Sequence, residues 1–363
     1  LEKSSWQSRI CAPLAGTLLA AACGASAWTG GMPGAYLRPP TGAAMTAMGG
    51  AQSASPAYLC TFWNPAQLSI LDKRAFTLGS GLYSLGRTEA FSSLEFKATP
   101  RVGVGILGLY RGDPFLDNLY NDQEEKLESG AFTTLTVKVG LSYLVNRKIT
   151  AGLSVGYFYQ RLPSSYSGTS LIYSDATAIA GFSFGMQYKL TDSLMLGAVL
   201  RDIAPLQILS GEAPGIPMQW QLSSAGSTYN PMDTDVVMPT LVIGCLYHHH
   251  LLGRPLLVSS DIDAYVVDGK FTKLDHMEMV LHAGCEWQRW QTFRIRAGLG
   301  DLAFNRDITS DPVSYWHNFT FKFCAGFGWD PVKLRRGVTV NYSVSTDKVW
   351  ASIDQMLDFV YKF

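Results

Sequence analysis

Charge is scarce in this sequence, and so are the signatures of chemistry. Asp, Glu, Lys and Arg make up 16% of its 363 residues, against about 25% in an ordinary soluble domain. The 29 basic and 29 acidic residues cancel, so no net positive field is available to hold nucleic acid. Beyond the leader, no run reaches the roughly 18 apolar residues of a membrane helix. No G-x-S-x-G, H-E-x-x-H or phosphate-binding loop occurs. Six cysteines are present, but Cys11 and Cys23 lie in the leader, and Cys60, Cys245, Cys285 and Cys324 are far apart without CxxC or zinc-like spacing. The last four read as small apolar residues; a disulfide between neighbouring strands is the alternative in an oxidising compartment. His248-His249-His250 has no Cys or carboxylate at metal-ligand spacing and reads as a polar turn. The sequence thus offers no catalytic residue, no metal site and no cofactor site, and points away from an enzyme.

What it has in quantity is glycine and aromatic residues: 35 Gly, 18 Phe and 17 Tyr. The N-terminus carries Lys3 and Arg9, then a mostly apolar stretch from Ala12 to Ala22, then Ala25-Ser26-Ala27. A positive start, a short apolar core and an A-x-A site are the parts of a secretory signal peptide, so residues 1–27 are expected to be removed. The rival reading is a lipoprotein signal ending at Cys23, with Leu19 one place too early for the usual box.

From about residue 73 the pattern has a period of two. Leu135, Val137, Val139, Leu141 and Tyr143 alternate with Thr136, Lys138, Gly140 and Ser142. Phe319, Phe321, Phe323, Ala325 and Phe327 alternate with Thr320, Lys322, Cys324, Gly326 and Gly328. Successive side chains of a strand point to opposite faces, so one face is apolar and aromatic, the other small or polar. A soluble sandwich also alternates. Here, however, the segments are about 10–14 residues long, against the usual 5–6, and short connections alternate with long ones, as periplasmic turns alternate with outer loops. Only helices and closed barrels satisfy every backbone group in lipid. The expected fold is therefore all-β: an antiparallel transmembrane β-barrel of about 14 strands over residues 73–363, in a bacterial outer membrane. Leu162–Asp175 and Ala204–Asp235 are expected to be long outer loops. Leu357, Phe359, Tyr361 and Phe363 share one face of the last strand, and this aromatic end looks like the signal read by the barrel-assembly machinery.

Residues 28–72 lack strand periodicity and are rich in Gly, Ala and Pro. Ala43–Met48 can form a short helix stopped by Gly49-Gly50, and Asn64-Pro65 suits a helix start. A segment of this length ahead of a barrel folds as a hatch inside the lumen or hangs below it. Met48-Gly49-Gly50-Ala51, followed about a dozen residues later by Trp63-Asn64-Pro65-Ala66, resembles the start of the FadL-like outer-membrane superfamily, which includes fatty-acid channels, PorV-type proteins and a spirochaete family. Tyr36-Leu37-Arg38 is closer to PorV-type and spirochaete members, and Gln67 departs from the Gly usual after Asn-Pro-Ala. The resemblance implies a 14-stranded barrel with an N-terminal hatch in the lumen. It also implies uptake of long-chain fatty acids or other small hydrophobic molecules, which are captured by outer loops and released sideways through the wall. Sideways release spares an apolar molecule a passage through water.

Candidate capture residues in the two long loops are Tyr166, Leu171, Ile172, Tyr173, Leu206, Ile208, Leu209, Trp220 and Leu222; self-packing over the barrel mouth is the plainer reading. Gly103, Gly105 and Gly108 are candidates for a lateral gap in the third strand. Inward charges are expected at Lys138, Arg201, Asp261, Asp263, Glu278, Glu286, Arg294, Arg296 and Lys322, read as a paired lumen network, with Arg294 or Arg296 able to meet an anionic head group. The expected partners are outer-membrane lipid, a hydrophobic small molecule and the assembly machinery. A PorV-type secretion component, which binds proteins through its outer loops, is the alternative; a polar solute porin is disfavoured by the hatch-like segment.

Overall fold

The computed structural model describes residues 35–55, 58–116, 125–167, 170–204, 215–222, 235–266, 277–304, 319–331, 337–346 and 353–363. The expected leader lies outside them. The strands are β1 (Ala75–Leu82), β2 (Thr88–Lys97), β3 (Val102–Leu116), β4 (Gly130–Leu144), β5 (Ile149–Ser167), β6 (Ser170–Lys189), β7 (Leu194–Ile203), β8 (Ile216–Leu222), β9 (Asp235–Val237) and β10 (Thr240–Leu251). They continue as β11 (Arg254–Val266), β12 (Met277–Trp290), β13 (Phe293–Phe304), β14 (Phe319–Trp329), β15 (Gly337–Thr346) and β16 (Ile353–Lys362).

Fourteen of these close into an antiparallel barrel. β1 pairs with β2 on one side and with β16 on the other, so the first and last strands seal the wall. β8 and β9 are additions to this ring. β6 pairs with β7 through Phe182–Lys189 and, nearer the long-loop end, with β8 through Ser174–Thr177, while β9 pairs with β8.

Alternation explains the placement of each face. On β1 the burial pattern is strictly alternating, with Phe76, Leu78 and Leu82 on the outer side. Val139, Leu141 and Tyr143 of β4, Phe323 and Phe327 of β14, and Leu357, Phe359 and Phe363 at the end of the chain are also exposed outward. An apolar band this wide is a surface for lipid. The opposite residues are buried and polar: Thr136, Lys138 and Ser142 on β4, and Asn341, Ser343 and Ser345 on β15.

Two expected loops differ from the reading above. Leu162–Asp175 is the extended end of a hairpin: β5 and β6 stay paired from Arg161↔Asp175 to Ser167↔Ser170. Tyr159 Oη donates to Asp175 at 2.8 Å, and the Arg161 guanidinium sits 4.5 Å from the centre of the Tyr173 ring. These cross-strand contacts, not an apolar/polar alternation, carry the strands past the lipid band. Within the span 204–235, Ile216–Leu222 is a strand. The three histidines belong to β10, and the tight turn follows at Leu252-Gly253, both with positive φ (52° and 71°), as a two-residue hairpin loop requires.

Candidate functional site: the hatch and the lumen above it

The described residues between Ala35 and Leu71 lie inside the barrel, most of them buried against its strands. Helix α1 (Ala43–Ala47) ends where Gly50 N donates to Met45 O and Gly49 N to Thr46 O, both at 3.0 Å. These are the two bonds of a Schellman stop. Gly49 and Gly50 have φ of 70° and 92°, which is why the expected helix ends there. A second turn of helix, α2 (Cys60–Trp63), leads into a 3₁₀ segment, Pro65–Ile70. Asn64 caps it, its Oδ1 accepting from Ala66 N at 3.0 Å, while its Nδ2 donates to Ser53 O at 2.7 Å and to Met186 O of β6 at 3.3 Å. Pro65 gives up no bond in the first turn. Gln67 spends both side-chain hydrogens on Gln52 O (3.1 Å) and Ser53 O (3.0 Å), which gives this departure from the family pattern a structural use. Trp63 Nε1 donates to Thr41 O at 3.1 Å, and Arg201 stacks over the Trp63 ring while donating to its carbonyl.

The wall holds this segment by two devices. The first is carboxylates aimed at hatch amides. Asp261 accepts from Gln52 N, Ser53 N and Ser53 Oγ at 2.7, 2.7 and 2.9 Å. Glu95 accepts from Thr61 N at 2.8 Å and Asp358 from Ala43 N at 2.6 Å. Charged acceptors make the stronger hydrogen bonds. His282 and Ser259 donate to Gly49 O and Ala51 O, both at 2.7 Å. Arg111 gathers the start of the hatch, donating to Tyr36 O, Pro39 O and Thr41 Oγ1 and pairing with Glu89. The second device is the absence of side chains. A Cβ on Gly103 would fall 2.2 Å from the Leu68 carbonyl carbon, one on Gly152 2.4 Å from Ala66 N, one on Gly197 2.2 Å from Ser53 O, and one on Gly284 2.3 Å from Met48 O. Hatch backbone therefore lies directly on wall backbone.

This reassigns the candidate gap. Gly103 and Gly105 are hatch contacts, and β3 is paired in register with β2 from Gly103 to Gly112 and with β4 from Val102 to Asp113. In this state the three glycines open no gap.

Of the candidate lumen charges, Lys138, Arg294, Arg296 and Lys322 meet carboxylates, while Arg201 and Asp261 bond the hatch instead. Lys138 Nζ is 2.9 Å from Asp202 Oδ1, and its ammonium sits 5.6 and 5.5 Å from the centres of the Phe62 and Phe158 rings. Arg296 reaches Glu286 (2.6 Å) and Asn341 (2.9 Å), Arg294 reaches Asp330, and Lys322 reaches Asp354 (3.4 Å). Asp263 lies 3.9 Å from His282. The Glu278 side chain is outside the described residues. Asp202 is not among the expected inward charges because it breaks the alternation: it has a φ of 56° in a bulge of β7 and turns into the lumen. Among the described residues no cluster of three or more His, Cys, Asp or Glu could hold a metal.

Six residues farther along β5 from the Gly152 contact, toward the long-loop end, Phe158 opens an apolar patch on the inner wall. Phe158, Ala178, Ile216, Met218 and Val237 are buried together and packed by Leu37 and Tyr36 of the hatch. Of the candidate capture residues, Leu171, Ile172 and Tyr173 lie at the hairpin tip of β5 and β6. Trp220 and Leu222 are on β8, and Tyr166 is on β5. Leu206, Ile208 and Leu209 lie outside the described residues.

A closed wall of this strand count around a docked hatch can be compared with solved structures. The toluene transporter TbuX of Ralstonia pickettii superposes with a TM-score of 0.56 at 15% identity, covering 90% of this chain and 99% of that one. The CymD monoaromatic hydrocarbon channel gives 0.57 at 14% identity, covering 89% and 97%. A Pseudomonas aeruginosa FadL homologue gives 0.56 at 12% identity, covering 90% and 98%. The chain has the FadL-type barrel fold. No family profile and no curated protein matches the sequence, so the FadL-type likeness is carried by the three-dimensional arrangement. The two stretches that resemble a FadL-like start, Met48-Gly49-Gly50 and Trp63-Asn64-Pro65-Ala66, fall where the hatch backbone turns and meets the wall.

Proposed function

We propose that the protein is an outer-membrane channel for small hydrophobic molecules, long-chain fatty acids among them, that enter from the long-loop side. The observation that carries this reading is the apolar patch of Phe158, Ala178, Ile216, Met218 and Val237 on the inner side; the other large inward apolar cluster, Phe91, Leu107, Leu109 and Met356, is packed under the hatch residues Met45, Leu59, Phe62 and Trp63. Such a patch inside a wall is where an apolar solute gains most by leaving water. In this state the place is filled by Tyr36 and Leu37, so a solute must displace the leading edge of the hatch to bind. A straight route through the hatch would break its contacts with the wall on many strands; leaving sideways into the membrane keeps them and spares the solute the water beyond.

Uptake of a labelled long-chain fatty acid and of labelled toluene into liposomes carrying the folded barrel tests this. Saturable uptake of at least one, lost in Met218→Glu, is the expected result. A folded barrel that neither binds nor passes either compound would overturn the reading.

A further inference from the structure

On the opposite side of the hatch, at the short-turn end, the structure holds a cavity of about 560 Å³. It lies between the underside of the hatch and β11, β12, β13 and β16. Its size is that of a small-molecule site, and its lining is of two kinds. Met45, Met48, Ile70, Leu71 and Leu257 supply an apolar floor and side. Lys73, Arg294, Arg296 and Lys362 supply four cations, against the two carboxylates of Glu286 and Asp72. Both arginines are already answered, Arg296 by Glu286 at 2.6 Å and Arg294 by Asp330, so Lys73 and Lys362, beside Asp72, are the cations left over.

Lys362 faces inward because it pairs across the seam with Ala75, which is buried. Its ammonium rests 4.8 Å from the centre of the Tyr58 ring. Neither Lys73 nor Lys362 has an ion-pair partner among the described residues. Lysine is a compact cation on a flexible stem, able to reach an anion at the mouth while the chain of that anion lies on the methionines, whose soft side chains adapt to varied shapes.

We infer that this cavity is a second binding site, separate from the apolar patch above the hatch, and that it takes a single-chain amphiphile with a carboxylate head. The head meets Lys362 and Lys73, and the chain lies along Met45, Met48, Ile70 and Leu71. A neutral chain would leave excess positive charge unanswered, and a cationic one would be repelled.

The site is testable without any measurement of transport. The folded barrel in a non-ionic detergent is irradiated with diazirine-bearing dodecanoate, dodecanol or dodecyltrimethylammonium, and labelled peptides are located by mass spectrometry. The expected result is labelling of the Ile70-Leu71 and Leu257 peptides by dodecanoate, at least tenfold above the other two probes. Lys73→Gln with Lys362→Gln lowers that labelling about tenfold; Ile106→Ala, on the outer face of β3, leaves it unchanged. Equal labelling by the three probes, labelling confined to the upper patch, or indifference to the lysine pair would overturn the proposal. Because the lower peptides are read separately from the Phe158 and Ile216 peptides, failure here is distinct from failure of uptake.

Discussion

Asp261 takes both hydrogens that Ser53 can offer, the backbone amide at 2.7 Å and the hydroxyl at 2.9 Å, and adds the amide of Gln52. A wall carboxylate thus ends the polar account of a buried bend in the hatch. Replacing it with alanine strands three donors. Hydrogen bonds to charged groups contribute about 1.5–3 kcal/mol each, and the losses overlap, so Asp261→Ala should cost about 3 kcal/mol in reversible urea unfolding in vesicles. Asp261→Asn, which keeps an acceptor, should cost less. Equal stability of all three proteins would show that Asp261 does not hold the hatch.

Gly103 and Gly108 separate two roles for glycine on one strand. A Cβ at Gly103 meets the Leu68 carbonyl carbon at 2.2 Å, whereas at Gly108 the nearest atom is Ser92 Oγ at 3.9 Å. Overpacking costs about 1–3 kcal/mol. Gly103→Ala should therefore lower the unfolding midpoint and raise protease access to the hatch, and Gly108→Ala should do neither. A reversed order would restore the case for a flexible gap at this strand.

Lys138 and Asp202 form a pair buried on both sides, with side chains 2% and 9% exposed. Removing one member of a buried pair costs about 3–5 kcal/mol, and removing both costs much less. A double-mutant cycle of Lys138→Met and Asp202→Asn should show that pattern. Additive costs would mean that the two groups do not answer each other.

Cys60 is fully buried in the hatch. Burial first, then the nearby Glu95 carboxylate, push its thiol well above the ordinary value, so it stays protonated and unreactive over the whole range in which exposed thiols ionise. Iodoacetamide at pH 8.5 should leave Cys60 unmodified in the folded barrel and modify it after unfolding, as peptide mass mapping will read. Rapid modification in the folded barrel would place the hatch outside the lumen.

Val139 faces outward at the middle of the apolar run of β4. An arginine there should cost about 2–4 kcal/mol, as at a bilayer midplane, and near the interfaces about 0–1. If Val139→Arg is neutral in vesicle unfolding, this face does not meet lipid.

Much of the wall could be read from the sequence because a period of two is a local property. Leu135 to Tyr143 announces an outer face whatever the partner strand is. The hatch stop at Gly49-Gly50 and the cap at Asn64 were legible for the same reason, since both rest on bonds within a few residues. What was not legible depends on the third dimension. Asp358, Glu95 and Arg111 sit in ordinary alternating strands, and nothing local distinguishes an inward carboxylate that pairs with a cation from one that holds a hatch amide. Gly103 and Gly105 suggested a weak wall, yet their bareness serves the hatch that lies on them. The end of the β5 and β6 hairpin reads as a loop in the sequence because beyond the lipid band a strand no longer needs an apolar face. β8 is not legible in the sequence because Ile216, Met218 and their partners pack inward, against the usual polarity of a lumen.

The bond from Ala43 N to Asp358 spans 315 positions of the chain, and Asp358 stands on the strand that seals the wall against β1. A segment that precedes the wall is thereby anchored by the strand that closes it. Until β16 arrives, the lumen has an open side and the hatch lacks one of its anchors. Long-range pairings of this kind are slow to form. Zipping the seam and seating the hatch are therefore a single late event in biogenesis, and a chain stalled short of its last strand would be left with both an unsealed wall and an unmoored plug.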